Sequence, residues 1–318
     1  MEIPLDVLKL VATYLVKSKM KLLDWIPLNK LNWAGLSGNP NAIHLLGANP
    51  DKIVWYWLSK NPKAINLLEA NTKKIDWEQL SQNPNGIHLL EANPDKINWA
   101  WLSKNPNAIN LLEANPDKIN WEELSENPNA IHLLEANPDK INWIYLSSNP
   151  NAINLLEQVL QQDPDKIDWI LLSGNPNAIH LMEQNPDKIY WYMLSENPSA
   201  INLLEANHDK IDWYGLSGNP NAIHMLELVL QQDPDKINWK WLSFNPNAIH
   251  MLEAHPDKIN WKWLSKNPNA IHMLEANPEK IDWDYLSMNP SIFEIDIKQT
   301  QTCLKKKANI IDIILYKN

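Results

Sequence analysis

The chain contains no arginine, a single cysteine, two phenylalanines and only seven glycines in 318 residues. Without arginine it lacks the planar guanidinium fork that grips phosphate at two points. Its formal net charge is −10, with no clustered basic footprint of the kind nucleic-acid binders carry. Nucleic acid and anionic membrane are therefore not expected as partners. Cys303 alone builds neither a disulfide framework nor a multi-cysteine metal site, and it fits a reducing interior. No run approaches the ~20 apolar residues of a membrane span. Met1 to Met20 lacks the basic start, apolar stretch and small-residue cleavage site of a secretory signal. The expectation is a soluble intracellular protein. G-x-S-x-G, a Walker lysine loop, G-x-G-x-x-G and H-E-x-x-H are also missing, so no enzyme activity, catalytic residue or cofactor is expected.

Proline, in contrast, is frequent, and its spacing is regular. One unit, L-S-x-N-P-N-A-I-H/N-L-L-E-A-N-P-D-K-I-N/D-W-x-x, recurs along most of the chain. Its first Asn falls at positions from Asn39 to Asn289, at intervals of 22 residues except for 26 after Asn149 and after Asn219. Such a period marks a solenoid or array. Each unit has two Asn-Pro steps, for example Asn105-Pro106 and Asn115-Pro116. Asn is a favoured N-cap, and Pro suits the first helical position while pushing its predecessor out of the α region. Two helices of roughly nine to eleven residues per unit are predicted, each ~15 Å long. In the first, Ala108, Ile109, Leu111 and Leu112 form the apolar side; in the second, Ile119, Trp121 and Leu124 do. The 26-residue copies each add about one helical turn, and Leu160 and Leu230 continue the apolar stripe four residues after Leu156 and Leu226. The fold class expected is all-α: a solenoid of short two-helix repeats, with a dozen rungs giving a curved rod on the order of 100 Å long.

These motifs resemble leucine-rich-variant repeats, an α-solenoid class. More closely they resemble tandem-repeat proteins of giant DNA viruses that carry N-P-N-A-I-H-L-L-E and D-K-I-N-W. That likeness runs from about Asn32 to Glu294 and includes the terminal Asn289-Pro290-Ser291-Ile292-Phe293-Glu294. It implies a helical solenoid and a viral source, with the host cytoplasm or the virion as location, but no particular biochemical activity.

Three segments follow: 1–33, 34–294 and 295–318. In the first, Pro4, Leu5, Leu8, Val11, Tyr14 and Leu15, with Leu22, Leu23 and Trp33, resemble an F-box, which docks on the adaptor subunit of a cullin-type ubiquitin ligase. The departure is Asn32, where a basic residue is expected before the last Trp. The other reading is a helical cap that shields the first repeat from water. The last segment reads as a C-terminal cap or degenerate tail, with Lys305-Lys306-Lys307 as a solvated patch and residues 310–315 as a capping helix or short strand.

His recurs at one rung position, for example at His88 and His132, and alternates with Asn in the early copies. Neighbouring rungs ~9 Å apart do not converge on a metal, so a polar or inter-repeat hydrogen-bonding ladder is expected. The Trp of every copy reads as shared core. The informative positions vary while the frame stays fixed: the two residues after each ladder Trp, and the one before each first Asn. Tyr56, Trp57, Trp101, Ile144, Tyr145, Tyr192, Tyr214, Lys240, Trp241, Lys262, Trp263 and Tyr285 are the candidate partner-binding residues there. A fixed frame with one variable, aromatic face is how a repeat scaffold presents a protein-binding surface. The function expected is protein–protein interaction without catalysis, with the F-box-like segment linking a target to a host cullin ligase. The alternative is a structural or assembly scaffold of a giant-virus particle, with the rod as a spacer.

Overall fold

The computed structural model describes residues 19–302. The residues named for the F-box likeness, Pro4 to Leu15, lie outside that range, as do Cys303, the lysine cluster and residues 310–315. Among the described residues, twelve short helices begin at a ladder Trp, from Trp33–Gly38 to Trp283–Met288, and eleven begin at the Ile of the I-H/N-L-L motif, from Ile43–Ala48 to Ile271–Glu275. We number the copies 1 to 12 by their Trp helix. No helix among the described residues is long and apolar enough to cross a membrane.

The helices are shorter than the sequence suggests. Typical copies have helices such as Trp121–Ser125 and Ile131–Glu135, five residues each. The expected second helix is divided: Pro-Asp-Lys forms one 3-10 turn, as at Pro116–Lys118, and an extended Ile-Asn step then precedes the Trp helix. The caps move accordingly. The Asn or Asp just before Trp is the N-cap, as where the Asn120 side chain accepts the N–H of Glu123 at 3.1 Å. Outside copy 12, where Asn289 caps the 3-10 turn Pro290–Ile292, the first Asn-Pro step does not cap a helix; Asn127 has other work. In the 26-residue copies the helix does gain a turn, giving Ile153–Gln162 and Ile223–Gln232. There Val159 and Val229 are the buried residues, with Leu160 and Leu230 packed at the margin.

The scarcity of glycine has a structural counterpart. A helix often ends on a left-handed residue that Gly supplies. Here the Asn before Pro is extended, as at Asn149 with φ −75° and ψ 115°, because Pro disfavours the helical conformation in its predecessor. No residue among those described has a positive φ.

A buried polar spine joins each copy to the one before. Asn127 is fully buried, and its amide donates to the carbonyls of Ser103 (2.9 Å) and Asn105 (3.0 Å), while its oxygen accepts the N–H of Asn129 (3.0 Å). Ser59, also buried, donates to the Trp55 carbonyl (2.8 Å) and accepts the N–H of Asp76 in the next copy (3.0 Å). Beside this spine lie the fully buried Leu and Ala of each copy, such as Leu102, Ala108 and Leu112. Among the described residues no buried side-chain nitrogen or oxygen lacks a partner. Orphaning such a group costs about 1–3 kcal/mol, so the spine fixes the spacing of the copies as firmly as the apolar core does.

The spine has no loose end, and this corrects the expectation of a rod. Asn39 of copy 1 donates to Ser287 O (3.1 Å) and Asn289 O (3.0 Å) of copy 12, as Asn127 does to copy 4. The backbone N–H of Asn32 reaches the Ser287 hydroxyl at 2.8 Å, and the Asn41 amide reaches Pro290 O at 2.9 Å. Trp33–Gly38 packs on Trp283–Met288 as closely as it packs on Trp55–Lys60. The solenoid is a closed ring of twelve copies.

At this seam the twelfth Ile helix is missing. A 3-10 turn at Pro290–Ile292 leads instead into β2 (Phe293–Ile295), which pairs antiparallel with β1 (Met20–Leu22) in the register Met20↔Ile295, Leu22↔Phe293. Trp33 starts the first Trp helix, with Asn32 as its cap.

Trp helices pack closely on one another at most joints of the ring, whereas successive Ile helices touch sparsely. Elements on the shorter circumference are the closer ones, so the Trp helices form the inner wall and the Ile helices the outer. Twelve joints of ~9 Å put the inner helix axes on a circle about 34 Å across, leaving an opening of roughly 20–25 Å.

Candidate functional site

The variable positions belong to the inner wall. The residue directly after each ladder Trp projects furthest: Tyr56, Ile144, Tyr192 and Tyr214 are 36–54 % exposed, and Lys240 and Lys262 are exposed beside them. The next residue sits between adjacent Trp helices, so Trp101, Tyr145, Trp241, Trp263 and Tyr285 are half-buried, while Trp57 remains 43 % exposed.

Some of these side chains are brought together. Trp241, Trp263 and Tyr285, from copies 10 to 12, stack in sequence with ring centroids 5.5 and 5.7 Å apart, and Phe244 meets Trp263 at 5.8 Å. Lys240 lies 5.0 Å from the Trp263 ring centre and Lys262 5.0 Å from that of Tyr285. Tyr56 and Trp57 meet edge to face at 5.2 Å. Trp101 donates its indole N–H to Glu78 at 3.1 Å. Ile144 and Tyr214 belong to separate copies with no such stacking between them.

The wall changes character around the ring. Copies 3 to 5 carry Glu78, Glu122, Glu123 and Glu126, the last ion-paired with Lys104. Copies 6 to 9 are apolar or neutral except for Glu196 of copy 8, with Ile144, Ile170 and Tyr214 each about half exposed; there the Tyr192 phenol is held above its ordinary pKa by its hydrogen bond to Glu196. Copies 10 to 2 are basic and aromatic apart from Asp284 of copy 12, whose carboxylate accepts the Asn32 side-chain amide at 2.7 Å. Copy 5 and copy 11 are six steps apart in twelve, so Glu122 and Glu123 lie across the opening from Lys262 and Lys266, whereas acidic copy 3 adjoins copy 2.

One cleft opens in the basic sector, with a volume of about 460 Å³. Its floor is Ala34, Gly35 and Gly38 of copy 1, its walls include Trp57 and Met288, and Lys60 and Lys266 border it. Residues of copies 11, 12, 1 and 2 meet there, as a concave surface requires. Sequence reasoning passed over Ala34, Gly35, Gly38 and Met288. The signal was present: copy 1 carries small residues at variable positions that are large in copy 2. Its meaning depends on copy 12 being the neighbour.

The two constant ladders lie apart from this surface. Each ladder Trp is half-buried against the core, and in eight copies the Lys of the following copy covers its ring, as Lys96 covers Trp77 at 4.5 Å. Lys30 covers Trp283 at 4.8 Å across the seam. Each rung-position His after His44 donates to or accepts from the Glu one copy back, His88 with Glu69 at 2.8 Å and His272 with Glu253 at 2.7 Å. This is the inter-repeat ladder expected, on the outer wall. No group of three or more potential metal ligands occurs among the described residues.

Fold and surface together define a closed α-solenoid with a variable inner face. Comparison with family models, with curated proteins and with solved structures returns no match.

Proposed function

We propose that the ring is a non-enzymatic interaction protein that holds a segment of another protein against its inner wall. One observation supports this above the rest: the variable positions that carry aromatic residues, after each ladder Trp, belong to one concave surface, and they keep Tyr56, Trp57, Ile144, Tyr192 and Tyr214 exposed there. Large exposed apolar surface is costly to solubility and marks interaction sites, and Tyr and Trp dominate binding hot spots. An opening of roughly 20–25 Å admits a helix or an extended strand, but not a folded domain of ~100 residues, whose diameter exceeds ~30 Å.

The test is cross-linked affinity purification of the full chain from eukaryotic cells, beside an Ile144→Lys, Tyr214→Lys variant. A partner captured by the native chain and lost by the variant supports the reading; identical captures reject an inner-wall role. The finer form of the proposal is a substrate adaptor, in which the segment carrying Leu8 and Leu15 docks the adaptor subunit of a cullin ligase. Leu8→Asp and Leu15→Asp then lose that subunit while keeping the target.

A further inference from the structure

We propose that the basic, aromatic sector of the inner wall, from Trp241 across the seam to Lys60, binds an acidic peptide segment and seats one of its apolar side chains in the cleft over Gly35 and Gly38. This rests on the reading of the ring as an interaction protein and names the chemistry of its partner.

Charge placement is the first support. Five lysines occupy varied inner positions, and four of them, Lys60, Lys240, Lys262 and Lys266, fall in this one sector. The fifth, Lys104, is neutralised by Glu126. None of the four forms an ion pair among the described residues. Three are instead laid over aromatic rings: Lys240 on Trp263 (5.0 Å), Lys262 on Tyr285 (5.0 Å) and Lys266 on Phe244 (5.7 Å). An ammonium over a ring keeps its remaining N–H donors available, and its long stem loses less freedom when a carboxylate arrives.

The cleft is the second support. Its volume of about 460 Å³ lies within the ~300–1,000 Å³ of ligand-binding clefts. No atom lies within 4 Å of where a Cβ on Gly38 would stand, so the floor is open to an incoming side chain. Trp57 and Met288 stand at its sides, both more than 40 % exposed. Lys60 and Lys266 at its border would meet carboxylates flanking an apolar anchor.

A one-sided charge requirement separates peptide from nucleic acid. A polyphosphate strand is negative on every side and would meet Glu78 in the adjoining copy and Glu122 and Glu123 across the opening. A peptide can present acidic side chains to copies 10 to 2 and others to the acidic sector, which sets its orientation as well as its affinity.

The probe is a displayed library of random dodecapeptides, selected against the full chain. Selected sequences are expected to combine Asp or Glu with a neighbouring Leu, Phe or Trp. Their affinity should fall by about tenfold or more in a Lys60→Glu, Lys266→Glu variant, and likewise in Gly38→Trp, which fills the cleft. Circular dichroism of both variants should match the native chain. Selected peptides without acidic enrichment, or with unchanged affinity for both variants, overturn the proposal. So does an empty selection, and binding of oligothymidylate in that case identifies the occupant as nucleic acid. If the cellular partner is still lost on Ile144→Lys, Tyr214→Lys while the peptide result is negative, the interaction reading stands and only the acidic-peptide assignment falls.

Discussion

Asn127 shows how much one residue of this unit carries. Its amide closes two buried carbonyls of copy 4 and its oxygen closes a turn of its own copy. Asn127→Leu leaves those carbonyls unpaired in a dry joint, and the unfolding free energy should fall by about 2–4 kcal/mol. Asn129→Ala, which removes an exposed bond to Pro106 O, should cost about 1 kcal/mol or less. Denaturant titration of both variants decides the point: equal effects would mean that the buried spine has no special role. Lys96→Met, which uncovers one face of Trp77, should cost roughly 0.5–1 kcal/mol in the same measurement. At this scale the sequence was informative about which residues are fixed, less so about why. The invariance of Asn-Pro suggests a cap; the bonds to the preceding copy involve residues 22 and 24 positions earlier, which local pattern does not reveal.

Among elements, the Asn-Pro punctuation and the added turn in the two long copies were legible, since both follow from local backbone rules. Helix length was not, because the same Ile-Asn-Trp stretch supports one continuous helix or a 3-10 turn followed by an extended step. Packing on the neighbouring copy selects the second by drawing the N–H before Trp onto the preceding Ser, as Asp76 onto Ser59. The seam elements make a sharper test. A Cβ on Gly35 would stand 2.9 Å from the Cβ of Ser287 and 3.4 Å from Asp284 O. Gly35→Leu should therefore part copies 1 and 12, and hydrogen–deuterium exchange should rise in residues 20–41 and 283–296 with other joints unchanged. Uniform protection in the variant would contradict the tight contact. The first His differs too. Where the Glu partner would come from copy 12 stands Ile297, and the His44 pKa is lowered, chiefly by burial and then by the charge of Lys19. A folded pKa below the unfolded value of about 6.5 means that seam stability is complete above that pH and declines as pH falls through it. His44→Asn should flatten this part of the thermal stability–pH profile; an unchanged slope would exclude His44 as its source.

For the whole molecule, repeat number and helical class could be read directly from the period, but closure could not. The rotation per copy depends on how much closer the Trp helices pack than the Ile helices, a difference set by side-chain volumes on both walls. Twelve equal steps then return the chain to its start, where Asn39, Asn32, Asn41 and Lys30 make contacts with copy 12 equivalent to those at interior joints. Closure also converts a variable face into an enclosed wall with distinct acidic and basic sectors, and it creates the cleft at copy 1. The candidate residues were visible individually in the sequence; their common surface was not. Small-angle X-ray scattering of the monomeric full chain tests this most directly. A closed ring predicts a maximum dimension of roughly 60–70 Å for the repeat body and a distance distribution with the depleted centre of a hollow particle. An elongated distribution reaching ~100 Å or more, as an open solenoid of the same rungs gives, would contradict the closed ring and the inner-wall site with it.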